Sequence, residues 1–160
     1  MLHIIQALSE ENISQLRKLF REYSCMPGVA PCIEDFAREV SALPGSYAPP
    51  DGRLLLAIHQ GPENDAEAIG CAALRKLQQE VCEMKRVYVQ PAFRGHGAGR
   101  KLVEELILQA RSIGYARMVL DTLPIMDEAH KLYRSLGFQE IPSYQKNPVP
   151  GALFFELTLR

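Results

Sequence analysis

The sequence predicts an α+β fold built on a mixed sheet. Two observations carry this. Two helix-periodic segments near the N-terminus are followed by three consecutive strand-like stretches, and the chain then alternates strand and helix before two last strands. The length, 160 residues, suits one domain with a full core and leaves little room for two, so residues 1–160 are expected to form a single domain.

Leu2 to Leu8 reads as a short strand, and Ser9 can cap the helix that follows. In that helix Ile13, Leu16, Leu19, Phe20 and Tyr23 recur at helical spacing. The segment Met26-Pro27-Gly28-Val29-Ala30-Pro31 breaks it. Ile33, Phe36, Ala37, Val40 and Leu43 mark a second helix, closed by Pro44-Gly45. Arg53 to His59, Ala66 to Leu77 and Val81 to Val89 read as consecutive antiparallel strands. Leu102, Val103, Leu106, Ile107 and Ala110 form the buried face of a helix ending near Gly114, and Arg117 to Asp121 is a strand. Ala129, Leu132, Tyr133 and Leu136 line a last helix, ended by Gly137 with Phe138 beyond it. Strands around Phe138 to Ile141 and Ala152 to Leu159 complete the order.

Composition narrows the function classes. An apolar fraction of 47% and a charged fraction of 23% are those of an ordinary globular protein. A net charge of −1 gives no basic field, so neither nucleic acid nor an anionic membrane is expected as a partner. The start Met1-Leu2-His3 lacks the basic residues of a secretory signal, and a cytoplasmic protein is the expectation. The four cysteines show no CxxC spacing, so no metal site is expected. Cys71 and Cys82 sit in apolar strands and read as buried side chains, while Cys25 and Cys32 would pair only in an oxidising compartment.

The informative stretch runs from Val87 through Arg94-Gly95-His96-Gly97-Ala98-Gly99-Arg100. A strand ends, and alternating glycines open an amphipathic helix. The first amides of a helix have no internal partner and carry partial positive charge. Glycines let a pyrophosphate approach them closely, and Arg94 and Arg100 add charge. A P-loop is excluded because Gly99 leads into Arg100-Lys101-Leu102 rather than Lys followed by Ser or Thr. A Rossmann turn fits poorly. The spacing is GxGxG, and the preceding strand carries Glu83, Lys85 and Arg86 instead of a continuous apolar run.

These residues resemble the GCN5-related N-acetyltransferase (GNAT) family. Its Arg/Gln-x-x-Gly-x-Gly/Ala motif is similar to Arg94-Gly95-His96-Gly97-Ala98-Gly99. The likeness extends back through Glu83-Met84-Lys85-Arg86-Val87-Tyr88-Val89. It continues forward through Ala129-His130-Lys131-Leu132-Tyr133-Arg134-Ser135-Leu136-Gly137-Phe138. The resemblance implies a mostly antiparallel mixed sheet flanked by helices, with splayed fourth and fifth strands, and acetyl-CoA as cosubstrate. It places Val87 and Val89 on the pantetheine arm and the Arg94 to Gly99 amides on the pyrophosphate. Many members have Asn where this chain has Met126, so His130 stands open between a replacement contact and a solvated helix residue.

The implied reaction moves an acetyl group to the amine of a small molecule or peptide. An alkylammonium with a pKa near 10.4 must lose a proton first, which is worth about 4 to 5 kcal/mol at pH 7. Glu83 and Asp121 are the candidate bases by resemblance, each also readable as an ordinary ion-pairing group. Tyr133 matches the family's acid, yet it also shares an apolar stripe with Ala129, Leu132 and Leu136. Two function classes follow: an N-acetyltransferase, with a homodimer left open, and a non-catalytic CoA-binding or sensor module.

Overall fold

The computed structural model describes residues 1–29 and 33–160, with the backbone alone for Ile33 and Glu34. The expected break at Ala30-Pro31 and any role of Cys32 lie outside the described residues. Strand β1 (Leu2–Gln6) leads to α1 (Glu10–Ser24), whose Ser9 side chain accepts the Asn12 amide at 3.1 Å, as a capping serine should. Helix α2 (Ile33–Ser41) and a 3₁₀ turn (Gly45–Tyr47) precede β2 (Arg53–Gln60), β3 (Ala66–Gln78) and β4 (Val81–Val89). Helix α3 (Ala98–Ile113), β5 (Arg117–Thr122), α4 (Asp127–Ser135), β6 (Gln139–Ile141) and β7 (Leu153–Thr158) follow.

The strands form one seven-stranded sheet in the order β1-β2-β3-β4-β5-β7-β6. Every neighbouring pair is antiparallel except β4 and β5, which are joined through α3 and run parallel. Helices cover both faces, which explains the apolar run Leu54 to Ala57. Leu54 and Leu56 face α1 and α2, whereas Leu55 and Ala57 face α3. Helix α3 buries Leu102, Val103 and Leu106 completely. At about 1.5–3 kcal/mol for each large side chain, this stripe is a main anchor of the parallel crossover. Gly114 ends α3 at φ +110, a left-handed conformation that favours glycine. Cys71 and Cys82 are both fully buried, as their apolar settings predicted. Among the described residues, no helix is long and apolar enough to cross a membrane.

Candidate active site

Strands β4 and β5 pair at three positions only: Val81 with Arg117, Cys82 with Met118 and Glu83 with Val119. Beyond Glu83 they part. The divergence has a local cause on the other side of β4. Between Cys71–Tyr88 and Ala73–Lys85 the β3–β4 register slips, so that Arg86 and Val87 face the single residue Ala72. This is a β-bulge, and Arg86 takes φ +58 there, a costly value for a side chain of its size. The surroundings hold it in place. Arg86 donates Nε and one Nη to the two Glu39 carboxylate oxygens at 2.9 and 3.1 Å, and its guanidinium lies against the rings of Tyr23 and Phe36. The bulge thereby ties β4 to α1 and α2.

The fork opens into a cleft of about 280 Å³. Lys85, Val87, Asp121, Met126, Tyr23 and Tyr133 are among the residues on its walls. Tyr133 is buried on this wall. Burial, reinforced by nearby Tyr23 and Asp121, pushes its phenol well above the ordinary range, so the group stays protonated across physiological pH.

At the end of β4 the chain makes a 3₁₀ turn (Pro91–Phe93) and then the glycine turn. Gly95 and Gly97 sit at φ +84 and +85, and Gly97 is the N-cap of α3. A Cβ at either position would meet no atom within 4 Å, so conformation, not crowding, requires glycine here, and the space beside them is open. None of the amides from Gly95 to Arg100 donates to a carbonyl among the described residues, and the first that does is Lys101, to Gly97 O at 3.0 Å. His96 is exposed and Ala98 buried, while Gly99 rests near Leu132 and Val89. A run of free amides at a helix N-terminus suits a diphosphate.

The two arginines of the turn are engaged within the protein. Arg94 donates Nε to Val89 O at 2.7 Å, and its guanidinium lies over Tyr88. Arg100 bonds Ser135 Oγ at 2.6 Å and pairs with Glu104. Both leave positive charge near the turn while fixing its two flanks.

The candidate bases differ. Glu83 is 1% exposed and is held by Arg75, whose Nε and Nη2 both reach Oε1 at 2.8 Å. Its Oε2 accepts the Tyr144 hydroxyl at 2.6 Å. Asp121 is a wall of the cleft, with its side chain 30% exposed. Burial alone would raise its pKa, but Lys85 at 3.3 Å and a hydrogen bond from Gln145 outweigh that and hold the carboxyl below the ordinary value. Consecutive residues of the β6–β7 loop thus touch both carboxylates. His130 corrects one expectation, because it is buried rather than solvated. Its Nε2 donates toward Leu123 O at 3.0 Å, with Thr122 Oγ1 at 3.2 Å, and its ring lies beside Phe155.

Sequence reasoning missed Lys85 and Arg75 as part of this site. A signal existed for the first: Lys85 sits next to Arg86 and two positions from Glu83 in a strand whose other residues are mostly buried.

A mixed sheet forked beside a turn of free amides is the architecture that the GNAT resemblance implied. The chain belongs to the acetyltransferase (GNAT) family, whose model matches residues 16–138. It is 33% identical to an uncharacterized N-acetyltransferase of Schizosaccharomyces pombe, over 93% of this chain and 90% of that protein. It is 32% identical to N-acetylaspartate synthetase of Xenopus tropicalis, over 58% of this chain and 37% of that protein. The solved structure of Salmonella typhimurium yncA with its cofactor acetyl-CoA aligns with a TM-score of 0.71 at 21% identity. That alignment covers 100% of this chain and 95% of that one.

Proposed function

We propose that this chain binds acetyl-CoA and transfers its acetyl group directly to an amine. The observation that carries the reading is the fork, with Tyr133 among the residues on its wall and the free amides of Gly95 to Arg100 in the turn that follows β4. The amides would hold the pyrophosphate, and the inner edge of β4 past Glu83, including Val87, would flank the pantetheine arm. The carbonyl of Val89 is already engaged by Arg94, so its contribution to that arm would come from its other backbone and side-chain atoms.

The acceptor nitrogen attacks the thioester carbon, forming the N–C bond, and the C–S bond breaks. The ammonium first gives one proton to a carboxylate; after attack the nitrogen loses a second, which returns through solvent to Tyr133 once that phenol has protonated the departing sulfur. Asp121 is the better placed carboxylate, since it borders the cleft, whereas both oxygens of Glu83 are engaged. Glu83 then acts through its neighbours, by holding Tyr144 and Arg75 in place. His130 ties α4 to the β5–α4 turn through the Leu123 carbonyl and would reach the cofactor only through that turn.

The test is release of free thiol from acetyl-CoA across a library of amines, repeated with Tyr133→Phe. Turnover should fall by about 10²-fold or more in the variant, with acetyl-CoA affinity and fold retained. Binding of acetyl-CoA with no thiol release from any amine would instead mark a CoA-binding module.

A further inference from the structure

Resting on the transfer proposed above, we infer that the acceptor is a free α-amino acid, whose carboxylate is received by Lys85 and whose amine is received by Asp121. The cations of the cleft are not equivalent. Arg86 is engaged by both oxygens of Glu39 and by two aromatic rings. Lys85 is not so satisfied. Its side chain is 13% exposed and borders the cleft, and of its three N–H donors one finds an acceptor among the described residues, Asp121 Oδ1 at 3.3 Å. Glu83 Oε2 lies 3.9 Å away, close enough for an ion pair but too far for a hydrogen bond. An ammonium this buried with donors to spare calls for another anionic acceptor, and the cleft is where one can enter.

Asp121 is the counterpart. Lys85 and Gln145 use part of its acceptor capacity, and the carboxylate keeps lone pairs beside the cleft. The two charges stand 3.3 Å apart. In an α-amino acid the nitrogen and the carboxyl carbon are separated by about 2.5 Å, from two standard bonds. Laid against the pair in the opposite sense, such a zwitterion satisfies both charges at once, and its amine meets the carboxylate proposed to take its proton.

Size points the same way. A cleft of about 280 Å³ is at the lower end for small-ligand sites. Loops lean on the β5–α4 turn from two directions: a Cβ at Gly28 would collide with Ile125 Cδ1, and one at Gly151 would lie 2.9 Å from Pro124 Cγ. A polyamine would carry a second positive charge toward Lys85, and a protein tail would have to pass between these contacts.

The experiment compares kcat/KM, by thiol release, for the common α-amino acids, their C-terminal amides, the corresponding decarboxylated amines and tripeptides with a free N-terminus. The wild-type protein should favour its best amino acid over the matched amide by about tenfold or more, the worth of one charged hydrogen bond. Lys85→Gln should bring that ratio close to one, and Lys85→Arg should restore most of it. Equal or better use of the amide, decarboxylated amine or tripeptide by the wild type overturns the inference while leaving acetyl transfer standing. So does a ratio that Lys85→Gln does not move. The wild-type ratio decides the matter even if Lys85→Gln fails to fold. Thiol release from no amine at all, with acetyl-CoA bound, defeats the transfer reading and this inference with it.

Discussion

Replacing Gly97 with alanine separates what the glycine turn does for folding from what it does for binding. Gly97 sits at φ +85, where a Cβ costs about 1–2 kcal/mol. Loss of glycine freedom in the unfolded chain returns about 0.4–1 kcal/mol. The net destabilisation is therefore between about 0 and about 1.6 kcal/mol, or at most roughly 6 °C in Tm for a chain of this size. No atom lies within 4 Å of the new methyl, so it projects into the open space beside the amides. There it blocks close approach of a phosphate. Loss of one charge-assisted hydrogen bond, about 1.5–3 kcal/mol, weakens binding about 10- to 150-fold. Gly114 supplies a matched control at the other end of α3. It has φ +110, equally open surroundings and no place in the cradle. Calorimetric titration of acetyl-CoA and thermal unfolding, run on Gly97→Ala and Gly114→Ala, should show similar Tm losses but weakened binding in the first alone. Equal acetyl-CoA affinity in the two variants would refute the cradle.

Glu83→Gln should lower stability by about 2 kcal/mol, read as a Tm loss of about 4–8 °C, because it leaves Arg75 without its buried carboxylate. Asp121→Asn should instead lower the transfer rate most at neutral pH, with the deficit shrinking as pH nears the acceptor pKa. Because the folded Asp121 carboxyl is held below 3.8, the stability it contributes is complete above that pH and is lost as pH falls further. Acid unfolding of wild type and Asp121→Asn should therefore converge only below that point. Finally, burial pushes the Cys82 thiol up to about 12 and Cys71 higher still, while Cys25 is exposed. Peptide mapping after alkylation at pH 8 should show Cys25 modified in the native protein, and Cys71 and Cys82 only after unfolding.

Much of this architecture was legible because the strongest signals are local. Ser9 acts through its own side chain, and Gly114 and Gly137 through their own backbones, so each marks its helix end directly in the sequence. Strand β4 was bounded correctly at Val81 and Val89 by its turn neighbours. What escaped depends on residues far apart in the chain. Tyr144 and Glu83 are 61 positions apart, and no periodicity links them. The bulge at Arg86 follows from a register between two strands and from Glu39, 47 positions upstream. His130 stood open between a cofactor contact and a solvated helix residue, because nothing local in the sequence marks it as buried. Its burial follows from the β5–α4 turn folding beneath the helix.

The fork gives this protein four strand edges where a simple open sheet has two. The outer pair belongs to β1 and β6, and the inner pair to β4 and β5 beyond Glu83 and Val119. An unpaired edge is a template for any extended chain, its own copies included. Here the loops that carry Gly28 and Gly151 rest on Ile125 and Pro124, in the turn that follows β5. Access of a ligand and protection against self-association thus depend on the same loops. A side chain at Gly28 or Gly151 that props a loop outward would unguard the inner edges, and clumping of the protein would be among its first symptoms.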